Sequence, residues 1–418
     1  MTGDAVQKVT ESVEITGQLM DSGTLARILD DVLEYGGDYV IERLDVGRTH
    51  TDETYARICV STEEEESLQR LLMRLQTHGV NQVDPGEAVV RSADADGVFP
   101  DDFYSTTNLE TRVRVGAKWV AVEHPEMDCG LLVRADGTIS TVPVSDVHAG
   151  DRIVCGASGI KVVLPTRAAA ADRGESFEFM SSEISSEKPQ ALLVRQIADQ
   201  LRSVKAAGLK VLWVAGPAVV HTGASPAMVA LVEAGYIDVL FAGNALATHD
   251  IESSLYGTSL GVDLARGKGV EHGHEHHIRA INTIRRCGSI AAAVESGVLT
   301  GGVMHAMVRG GYDYVLVGSV RDDGPLPDVF TDVIEGQRAM RAKLPGVGFA
   351  IMVATMLHSI ATGNILPASV PLVCVDINPA TVTKLADRGS AQAVGIVTDI
   401  GLFLEQLAGH LVPAFKNR

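Results

Sequence analysis

Residues 237–252 read IDVLFAGNALATHDIE, and this stretch decides the interpretation of the fold. Its apolar run, Ile237–Phe241, is followed by Gly243 and Asn244 and then by His249-Asp250. A run that is apolar at nearly every position is typical of a strand that is covered on both faces of a parallel sheet. The polar side chains after it therefore lie where such a sheet binds its ligands, beyond the carboxyl ends of its strands.

Five other segments of the C-terminal half have the same apolar character, and helical patterns separate them. The strand candidates are Lys210–Ala215, Tyr314–Val317, Val347–Val353, Leu372–Val375 and Ala393–Val397. The predicted helices include 191–206, 226–234, 277–287 and 290–296. This alternation predicts the α/β class, with a doubly wound, Rossmann-like parallel sheet over residues 191–418.

The N-terminal half has a different organisation. Residues 1–85 show the order strand, helix, two strands and helix, which suggests a ferredoxin-like α/β unit. Asp21-Ser22 is the predicted cap of its first helix, and Ser61-Thr62 is the predicted cap of its second. Residues 86–165 have short apolar runs between Gly, Pro and Asp, which predicts a small β domain, and residues 166–190 have the composition of a linker.

Composition and charge exclude several classes of function. The 418 residues include 53 acidic and 35 basic side chains, and a formal net charge of -18 repels nucleic acid and anionic membranes. The longest apolar run near the C-terminus, Val347–Leu357, is far shorter than the roughly 20 residues that span a bilayer. The five cysteines are scattered and the N-terminus is polar, so we expect a cytoplasmic protein without disulfides.

The residues that follow the strand Ile237–Phe241 are the first functional candidates. Gly243 permits close approach of a ligand to the backbone, and Asn244 offers both donors and acceptors. His249 or Asp250 could act as a general acid or base at the mouth of the sheet. A structural alternative stays open, in which Thr248 or Asp250 begins the next helix.

Asp376 is the most informative residue at the other strand ends. It ends a buried strand, where a carboxylate accepts hydrogen bonds from ribose hydroxyls and disfavours a 2′-phosphate, so it predicts NAD rather than NADP. Small or polar residues also follow other strands, at Gly216, Gly318–Pro327 and Ala354–Leu357. Each has a structural alternative: a packing turn, an Asp-Gly turn with an Arg321–aspartate pair, and a packed core helix.

The segment Glu271–His277 is dense in histidine. It is interpreted either as a solvated loop, as a loop that faces substrate or cofactor, or as a zinc site. Its spacing matches neither H-E-x-x-H nor a zinc finger, so we expect no metal.

Six segments of unusual sequence occur along the chain: Gly17–Ser22, Gly97–Asn108, Glu126–Gly130, Gly243–Glu252, Gly318–Pro327 and Ala354–Asn364. Together they resemble the lysine-ketoglutarate reductase/saccharopine dehydrogenase (LOR/SDH) conserved-region proteins. That family includes the archaeal-type ornithine cyclodeaminases and the C-terminal part of cyanobacterial arginine-degrading enzymes. The resemblance covers nearly the whole chain.

The C-terminal domain is also distantly similar to deoxyhypusine synthase, another NAD enzyme. The similarity lies in the Thr222-Gly223 turn, the Gly243–Glu252 strand end and the final Thr398-Asp399. These resemblances imply that NAD is the cofactor. The residues implied to hold it are Gly243, Asn244, Asp322, Ala354, Thr355, Met356, Leu357, Asp376, Thr398 and Asp399.

The family resemblance implies an ammonia lyase of proline biosynthesis, an ornithine cyclodeaminase that converts L-ornithine to L-proline and ammonia. Tightly held NAD would take a hydride from the substrate and return it within one turnover. His249, Asp250 and His277 are the candidate catalytic residues, because the substrate ammonium groups need a base. The expected partners are ornithine and further copies of the chain in a dimer or tetramer, without nucleic acid or membrane.

Three other functions stay open. An NAD-dependent amino-acid dehydrogenase would release NADH, whereas a cyclodeaminase would accumulate none. A deoxyhypusine-synthase-like transferase needs a nucleophilic lysine, and Lys268 and Lys343 lie in the domain without a matching lysine motif. The third function is that of a non-catalytic NAD-sensing protein. The polar side chains at the strand ends favour an enzyme over this alternative.

Overall fold

A computed structural model of the chain describes residues 8–17, 19, 23–48, 52–164, 190–260, 262–263, 268–269, 275–322, 324–387 and 393–415. The chain divides into two compact units, residues 1–177 with 364–369 and residues 178–363 with 370–418. Three features predicted from the sequence lie outside the described residues: the Asp21-Ser22 cap, the linker as far as residue 189, and the loop Glu271–His274.

The first unit begins with a four-stranded sheet and two helices. In chain order these are β1 (Val9–Gly17), α1 (Thr24–Glu34), β2 (Asp38–Asp45), β3 (Thr54–Thr62), α2 (Glu65–Gln76) and β4 (Asn81–Gln82). The strands lie in the order β2-β3-β1-β4 and pair antiparallel throughout, which is the predicted ferredoxin-like topology. Alternate residues of β3 are buried with Ile28 and Leu71 of the helices, because one face of the sheet is covered.

The predicted cap of α2 is wrong. Thr62 pairs with Val9 as the last residue of β3, so it belongs to the sheet rather than to the start of a helix. Its hydroxyl donates to the carbonyl oxygen of Glu64 at 2.9 Å. The helix begins at Glu65 after Glu64, whose side chain makes no capping hydrogen bond.

A seven-stranded sheet forms the rest of the first unit. Its strands are β5 (Val89–Ser92), β6 (Glu110–Val115), β7 (Lys118–Glu123), β8 (Gly130–Val133), β9 (Ile139–Val142), β10 (Arg152–Cys155) and β11 (Ile160–Val163), with a 3₁₀ helix at Val144–Asp146. They lie in the order β11-β6-β7-β9-β8-β10-β5. The division of the chain into domains at residues 85, 165 and 190 stays a prediction.

Residues 364–369 belong to the first unit, although the chain on both sides of them belongs to the second. The side-chain amide of Asn108 donates to the carbonyl oxygen of Leu366 at 3.2 Å, and the Asn108 carbonyl accepts from the backbone nitrogen of Ala368 at 2.8 Å. Ala368 is buried in the core of the seven-stranded sheet. The first unit is therefore completed by residues that are distant in sequence.

The second unit contains a parallel sheet and a small antiparallel one. Its strands are β12 (Lys210–Ala215), β13 (Val239–Gly243), β14 (Thr258–Ser259), β15 (Val262–Asp263), β16 (Lys268–Gly269), β17 (Asp313–Val317), β18 (Val329–Phe330), β19 (Val347–Val353), β20 (Leu372–Asp376) and β21 (Ala393–Val397). Seven of them lie in the order β18-β17-β13-β12-β19-β20-β21 and pair parallel throughout. The predicted fold class is confirmed.

Helices connect these strands. They are α3 (Gln190–Ala206), α4 (Ala218–His221), α5 (Ser225–Glu233), α6 (Asn244–Tyr256), α7 (His276–Cys287), α8 (Ile290–Glu295), α9 (Val303–Gly310), α10 (Val333–Lys343), α11 (Met356–Ile365), α12 (Pro379–Asp387) and α13 (Ile400–Leu411). Over the described ranges, every helix is too short or too polar to cross a membrane.

The strand order reverses direction at the middle of the parallel sheet. From β12 the chain adds β13, β17 and β18 on one side, and it then returns to add β19, β20 and β21 on the other. The switch point lies between β12 and β19. Doubly wound sheets bind ligands in the crevice outside the carboxyl ends of the strands at such a point.

Candidate active site

The residues predicted to hold the cofactor all lie at the carboxyl edge of the parallel sheet. Gly243 and Asp376 end their strands, and Asn244 begins α6. The others lie in the segments that follow β17, β19 and β21: Asp322, Ala354, Thr355, Met356, Leu357, Thr398 and Asp399. Because parallel strands all end at the same edge, the fold brings together side chains spread over 157 positions of sequence, from Gly243 to Asp399.

At the switch point, the ends of β12 and β19 are hydrogen-bonded to each other. The backbone nitrogen of Gly216 donates to the carbonyl oxygen of Val353 at 2.9 Å. Ala354 follows with a φ of 52°, the left-handed conformation that residues other than glycine rarely adopt. This turn lets α11 begin at Met356, so the unpaired N–H groups of its first turn lie at the edge, as an anionic ligand requires.

Asn244 connects two strand ends. It is buried, and its side-chain oxygen accepts hydrogen bonds from the backbone nitrogen of Leu326 at 3.0 Å and from the Thr248 hydroxyl at 3.3 Å. Leu326 belongs to the segment after β17 that also contains Asp322. Helix α6 begins at Asn244 itself, so the alternative in which Thr248 or Asp250 begins the helix is wrong.

Asp322 closes the turn after β17. Its carboxylate accepts from the backbone nitrogen of Ser319 at 2.8 Å. His358, on α11, faces this carboxylate and hydrogen-bonds the carbonyl oxygen of Val317, yet burial lowers the pKa of its imidazole below the ordinary value. A β-carbon on Gly243 would lie only 3.2 Å from the His358 ring, so a glycine at this position leaves room for the imidazole. His358 was not among the predicted site residues.

The strands β20 and β21 end in capped turns. Asp376 accepts from the backbone nitrogen of Asn378 at 2.8 Å, and its own carbonyl oxygen accepts from the Thr398 nitrogen at 3.2 Å. Asp399 caps α13 by accepting from the Leu402 nitrogen at 3.0 Å. These contacts hold two carboxylates at the edge of the sheet.

Large apolar side chains are exposed at the same edge. Val320 is fully exposed, Leu357 is 77% exposed and Ile377 is 70% exposed, and Val397 at the end of β21 is half exposed. Each follows or ends a different strand of the sheet. They provide apolar surface on which flat rings can lie next to the polar backbone turns.

Three imidazole rings lie close together beside this edge. His221 ends α4, His249 lies on α6 and His277 lies on α7. The ring centroids of His221 and His249 are 4.9 Å apart, and those of His249 and His277 are 6.3 Å apart. Burial lowers the pKa of His221, and the neighbouring His249 lowers it further, so its ring is neutral near pH 7.

A buried carboxylate organises the histidines. Glu252 is fully buried on α6, and it accepts from His249 Nδ1 at 2.9 Å, from the Thr258 hydroxyl at 2.9 Å and from the Leu260 backbone nitrogen at 3.2 Å. His276 Nδ1 lies 2.9 Å from the same Thr258 hydroxyl.

His221 Nδ1 lies 2.6 Å from the hydroxyl of Ser259, the neighbour of Thr258 in β14. His221, Glu252 and His276 were not among the candidate catalytic residues, because their partners Thr258 and Ser259 form the two-residue strand β14, which no local pattern reveals.

Asp250 lies on the same helix but has different contacts. Its two carboxylate oxygens accept from the backbone nitrogens of Val303 and Met304, each at 2.8 Å, and so cap α9. Burial raises the pKa of this carboxyl group to about 6. These contacts give Asp250 a structural role as the cap of α9. Its catalytic role stays a prediction.

Across the described part of the chain, no group of three or more His, Cys, Asp or Glu side chains is arranged to hold a metal ion. Glu275 and His276, in the part of the histidine-dense segment that the structure describes, contact other side chains. Glu275 accepts from the guanidinium of Arg279 at 3.0 Å, and the ring of His276 stacks on Tyr256 at 4.9 Å between centroids.

Three family models match the chain in succession. The LOR/SDH bifunctional enzyme conserved region matches residues 10–109. The first region of the C-terminal part of ArgZ-like arginine dihydrolases matches residues 110–194, and the Rossmann fold of that C-terminal part matches residues 195–407.

Relatives match over nearly the whole chain. A protein of Methanothermobacter thermautotrophicus named ornithine cyclodeaminase is 51% identical over 94% of this chain and 96% of its own length. The apo crystal structure of ArgZ, an arginine dihydrolase from the ornithine-ammonia cycle in cyanobacteria, matches with a TM-score of 0.85 and 35% identity over 100% of this chain and 61% of ArgZ.

A third match is a complex. AgrE of a Nostoc species is named a bifunctional arginine dihydrolase/ornithine cyclodeaminase, and its crystal structure is a ternary complex with ornithine and NAD+. It matches with a TM-score of 0.52 and 40% identity over 97% of this chain and 58% of AgrE. The present chain thus spans about three fifths of ArgZ and AgrE, and nearly all of the archaeal relative.

Proposed function

The chain belongs to the family of LOR/SDH conserved-region proteins with an ArgZ-like C-terminal region, and from this premise we propose that it is an NAD-dependent ornithine cyclodeaminase. The reaction converts L-ornithine to L-proline and ammonia. The archaeal relative that shares nearly the whole length carries this name, and the AgrE complex contains both ornithine and NAD+.

One observation of the structure carries the proposal. Helix α6 bears a candidate cofactor residue, Asn244, at its first position and a buried imidazole–carboxylate pair, His249 and Glu252, one to two turns later. Cyclodeamination needs a hydride acceptor at the substrate α-carbon and proton acceptors at its nitrogens. A single helix that begins at the carboxyl edge of the sheet carries a candidate residue for each of these tasks.

The carboxyl edge fits NAD. The first turns of α6 and α11 offer unpaired N–H groups to a pyrophosphate. The carboxylate of Asp376 matches ribose hydroxyls, and the exposed side chains of Leu357 and Ile377 match the flat rings. Bound NAD supplies a reversible hydride acceptor, and the remaining tasks fall to the side chains around it.

Those tasks are proton transfers. Ornithine arrives with two ammonium groups, and each must lose a proton before its nitrogen can react, while the departing nitrogen must gain one to leave as ammonia. Neutral imidazoles accept and return protons near pH 7. We assign this work to His249 and His277, with the neutral ring of His221 beside them.

A transferase that uses a nucleophilic lysine has less support. Lys343 Nζ lies 2.7 Å from the carboxylate of Asp313, the first residue of β17. It therefore lies at the amino edge of the sheet, opposite the candidate site. The side chain of Lys268 is outside the described residues.

Deuterium labelling tests the proposal. Purified protein with a substoichiometric amount of NAD is incubated with ornithine that carries deuterium on its α-carbon, and the products are analysed by mass spectrometry. We expect proline that keeps the deuterium on its α-carbon, one ammonia per proline, and no accumulation of NADH absorbance. Stoichiometric NADH, or deuterium lost from the product, would show an amino-acid dehydrogenase instead, and no turnover with NAD bound would leave an NAD-sensing protein.

We further propose that the enzyme makes proline from ornithine in the cytoplasm as a homo-oligomer. The five cysteines, all within the described residues, form no disulfide, as expected in a reducing compartment. Size-exclusion chromatography with light scattering measures the oligomeric state, for which we expect a dimer or tetramer.

A further inference from the structure

Glu252 is a carboxylate enclosed by the protein rather than by water. It is 0% exposed, and a buried carboxylate is costly unless hydrogen bonds satisfy its oxygens. One oxygen, Oε2, accepts from His249 Nδ1 and from the Leu260 backbone nitrogen, and the other, Oε1, accepts from the Thr258 hydroxyl. This arrangement has consequences for the histidines that surround it.

The first consequence concerns His249. An ionised carboxylate can only accept hydrogen bonds, so at 2.9 Å the Nδ1 atom of His249 must carry the proton. In a neutral imidazole with a protonated Nδ1, the other nitrogen, Nε2, is the acceptor. Glu252 therefore fixes the tautomer in which His249 Nε2 is ready to take a proton.

The second consequence concerns His276 and passes through Thr258. A hydroxyl has one hydrogen, and Thr258 donates it to Glu252 Oε1 at 2.9 Å. At its contact with His276 Nδ1, also 2.9 Å long, the hydroxyl can therefore only accept. Nδ1 of His276 must carry a proton, and Nε2 of this second ring is again the acceptor.

We propose that Glu252 is a positioning residue that sets the tautomers of two histidines at once, His249 directly and His276 through Thr258, so that both present Nε2 as a proton acceptor. The role of these acceptors rests on the proposed function, which gives proton transfer to His249 and His277: Nε2 of His249 is one of the acceptors assigned there, and Nε2 of His276, the neighbour of His277 in α7, adds a further one. Both protons return to nitrogen, one to the departing ammonia and one to proline, so the network ends each turnover in its starting state.

The experiment uses the full chain with NAD bound, labelled with 15N at its histidines. Nitrogen chemical shifts distinguish a protonated Nδ1 from a protonated Nε2, and His249→Asn and His276→Asn assign the two rings. We expect protonated Nδ1 in both rings of the unaltered protein. The neutral amide of Glu252→Gln cannot accept hydrogen bonds from both His249 and Thr258, so at least one ring should change tautomer in this variant. Protonated Nε2 in either ring of the unaltered protein, or unchanged tautomers in Glu252→Gln, would overturn the proposal.

Activity gives a second readout. Glu252→Gln should lower kcat for ornithine about 100-fold, the scale of general acid–base catalysis, with NAD affinity unchanged within about twofold. Glu233→Gln, an exposed carboxylate at the end of α5, is the matched control and should leave both unchanged. If the unaltered protein does not convert ornithine, the proposed function fails, while the tautomer measurement still decides the role of Glu252.

A milder variant covers the case in which Glu252→Gln does not fold. Thr258→Val removes only the hydroxyl that links Glu252 to His276. We expect His276 to change tautomer, His249 to keep its own, and kcat to fall about tenfold. A change at His249, or none at His276, contradicts the proposed connectivity.

Discussion

The carbonyl oxygen of Ala354 lies 1.9 Å from the position that a β-carbon on Gly216 would occupy. Two backbone segments thus meet at the switch point of the parallel sheet with no space for a side chain. Gly216→Ala should lower the free energy of unfolding by about 1–3 kcal/mol and weaken NAD binding, because the two strand ends must separate.

Urea denaturation and calorimetric NAD titration measure the two effects. Ala354→Gly is the control at the same contact, since it relieves a left-handed alanine but adds freedom to the unfolded chain. It should change the free energy of unfolding by less than about 1 kcal/mol. A Gly216→Ala variant as stable as the unaltered protein would show that the contact relaxes without cost.

Asn244→Ala tests the link between two strand ends. The variant leaves the buried backbone N–H of Leu326 without its acceptor, which costs about 1–3 kcal/mol of stability, and it frees the segment that carries Asp322. We expect a folded protein with NAD affinity at least about tenfold weaker. Calorimetry with NAD measures this change, and an unchanged affinity would remove Asn244 from the cofactor site.

Asp376 should determine the choice between NAD and NADP. Its carboxylate is held at the end of β20 by the backbone nitrogen of Asn378, so a 2′-phosphate would meet a fixed negative charge. We expect NAD to bind at least about tenfold more tightly than NADP, and Asp376→Asn to reduce that ratio.

Titration of each variant with both cofactors measures this preference. Asp199→Asn, at an exposed aspartate on α3, is the control and should leave the ratio unchanged. Tighter binding of NADP than NAD by the unaltered protein would contradict the assignment of Asp376.

Asp250 should make stability fall as the pH rises. Burial raises the pKa of its carboxyl group to about 6, from an ordinary value of 3.8, so the folded protein holds this proton more tightly than the unfolded chain. The stabilisation by this proton is complete when the pH is below the ordinary pKa of 3.8, and it is lost as the pH rises through the raised pKa of about 6. The loss is about 3 kcal/mol.

Comparison with Asp250→Asn isolates this contribution. Urea unfolding of both proteins at about pH 4.5, 5.5 and 7 gives the difference in their free energies of unfolding. The unaltered protein should lose stability relative to Asp250→Asn as the pH rises. A difference that does not depend on pH would show that the hydrogen bonds from the two N–H groups of α9 lower the pKa of Asp250 as much as burial raises it.

The strands of the parallel sheet could be predicted because burial on both faces leaves an unbroken apolar run. Val347–Val353 and Lys210–Ala215 have the bounds that the sequence indicates. Strand direction then places Asp376 and Asn244 at one edge without any further information. These parts of the candidate site follow from periodicity and from the geometry of parallel pairing.

Helix α6 could not be predicted in the same way. Its buried positions include Thr248, Asp250 and Glu252, so it lacks the apolar stripe by which helices are recognised. These polar groups are tolerated inside because partners outside the helix satisfy them: α9, which is distant in sequence, for Asp250, and the short strand β14, which follows the helix, for Glu252. Such pairings depend on the whole fold, and a local pattern does not contain them.

Residues 364–369 determine when the first unit can complete its folding during synthesis. While the chain is being made, the strands β5 to β11 leave the ribosome some 200 residues before the segment that completes their unit, so Asn108 has no access to Leu366 and Ala368 until that segment has been made. A nascent chain therefore carries an unfinished first unit until residues 364–369 have emerged. For the same reason, a premature stop before residue 364 damages both units at once, and neither can be exchanged between genes as a single uninterrupted cassette.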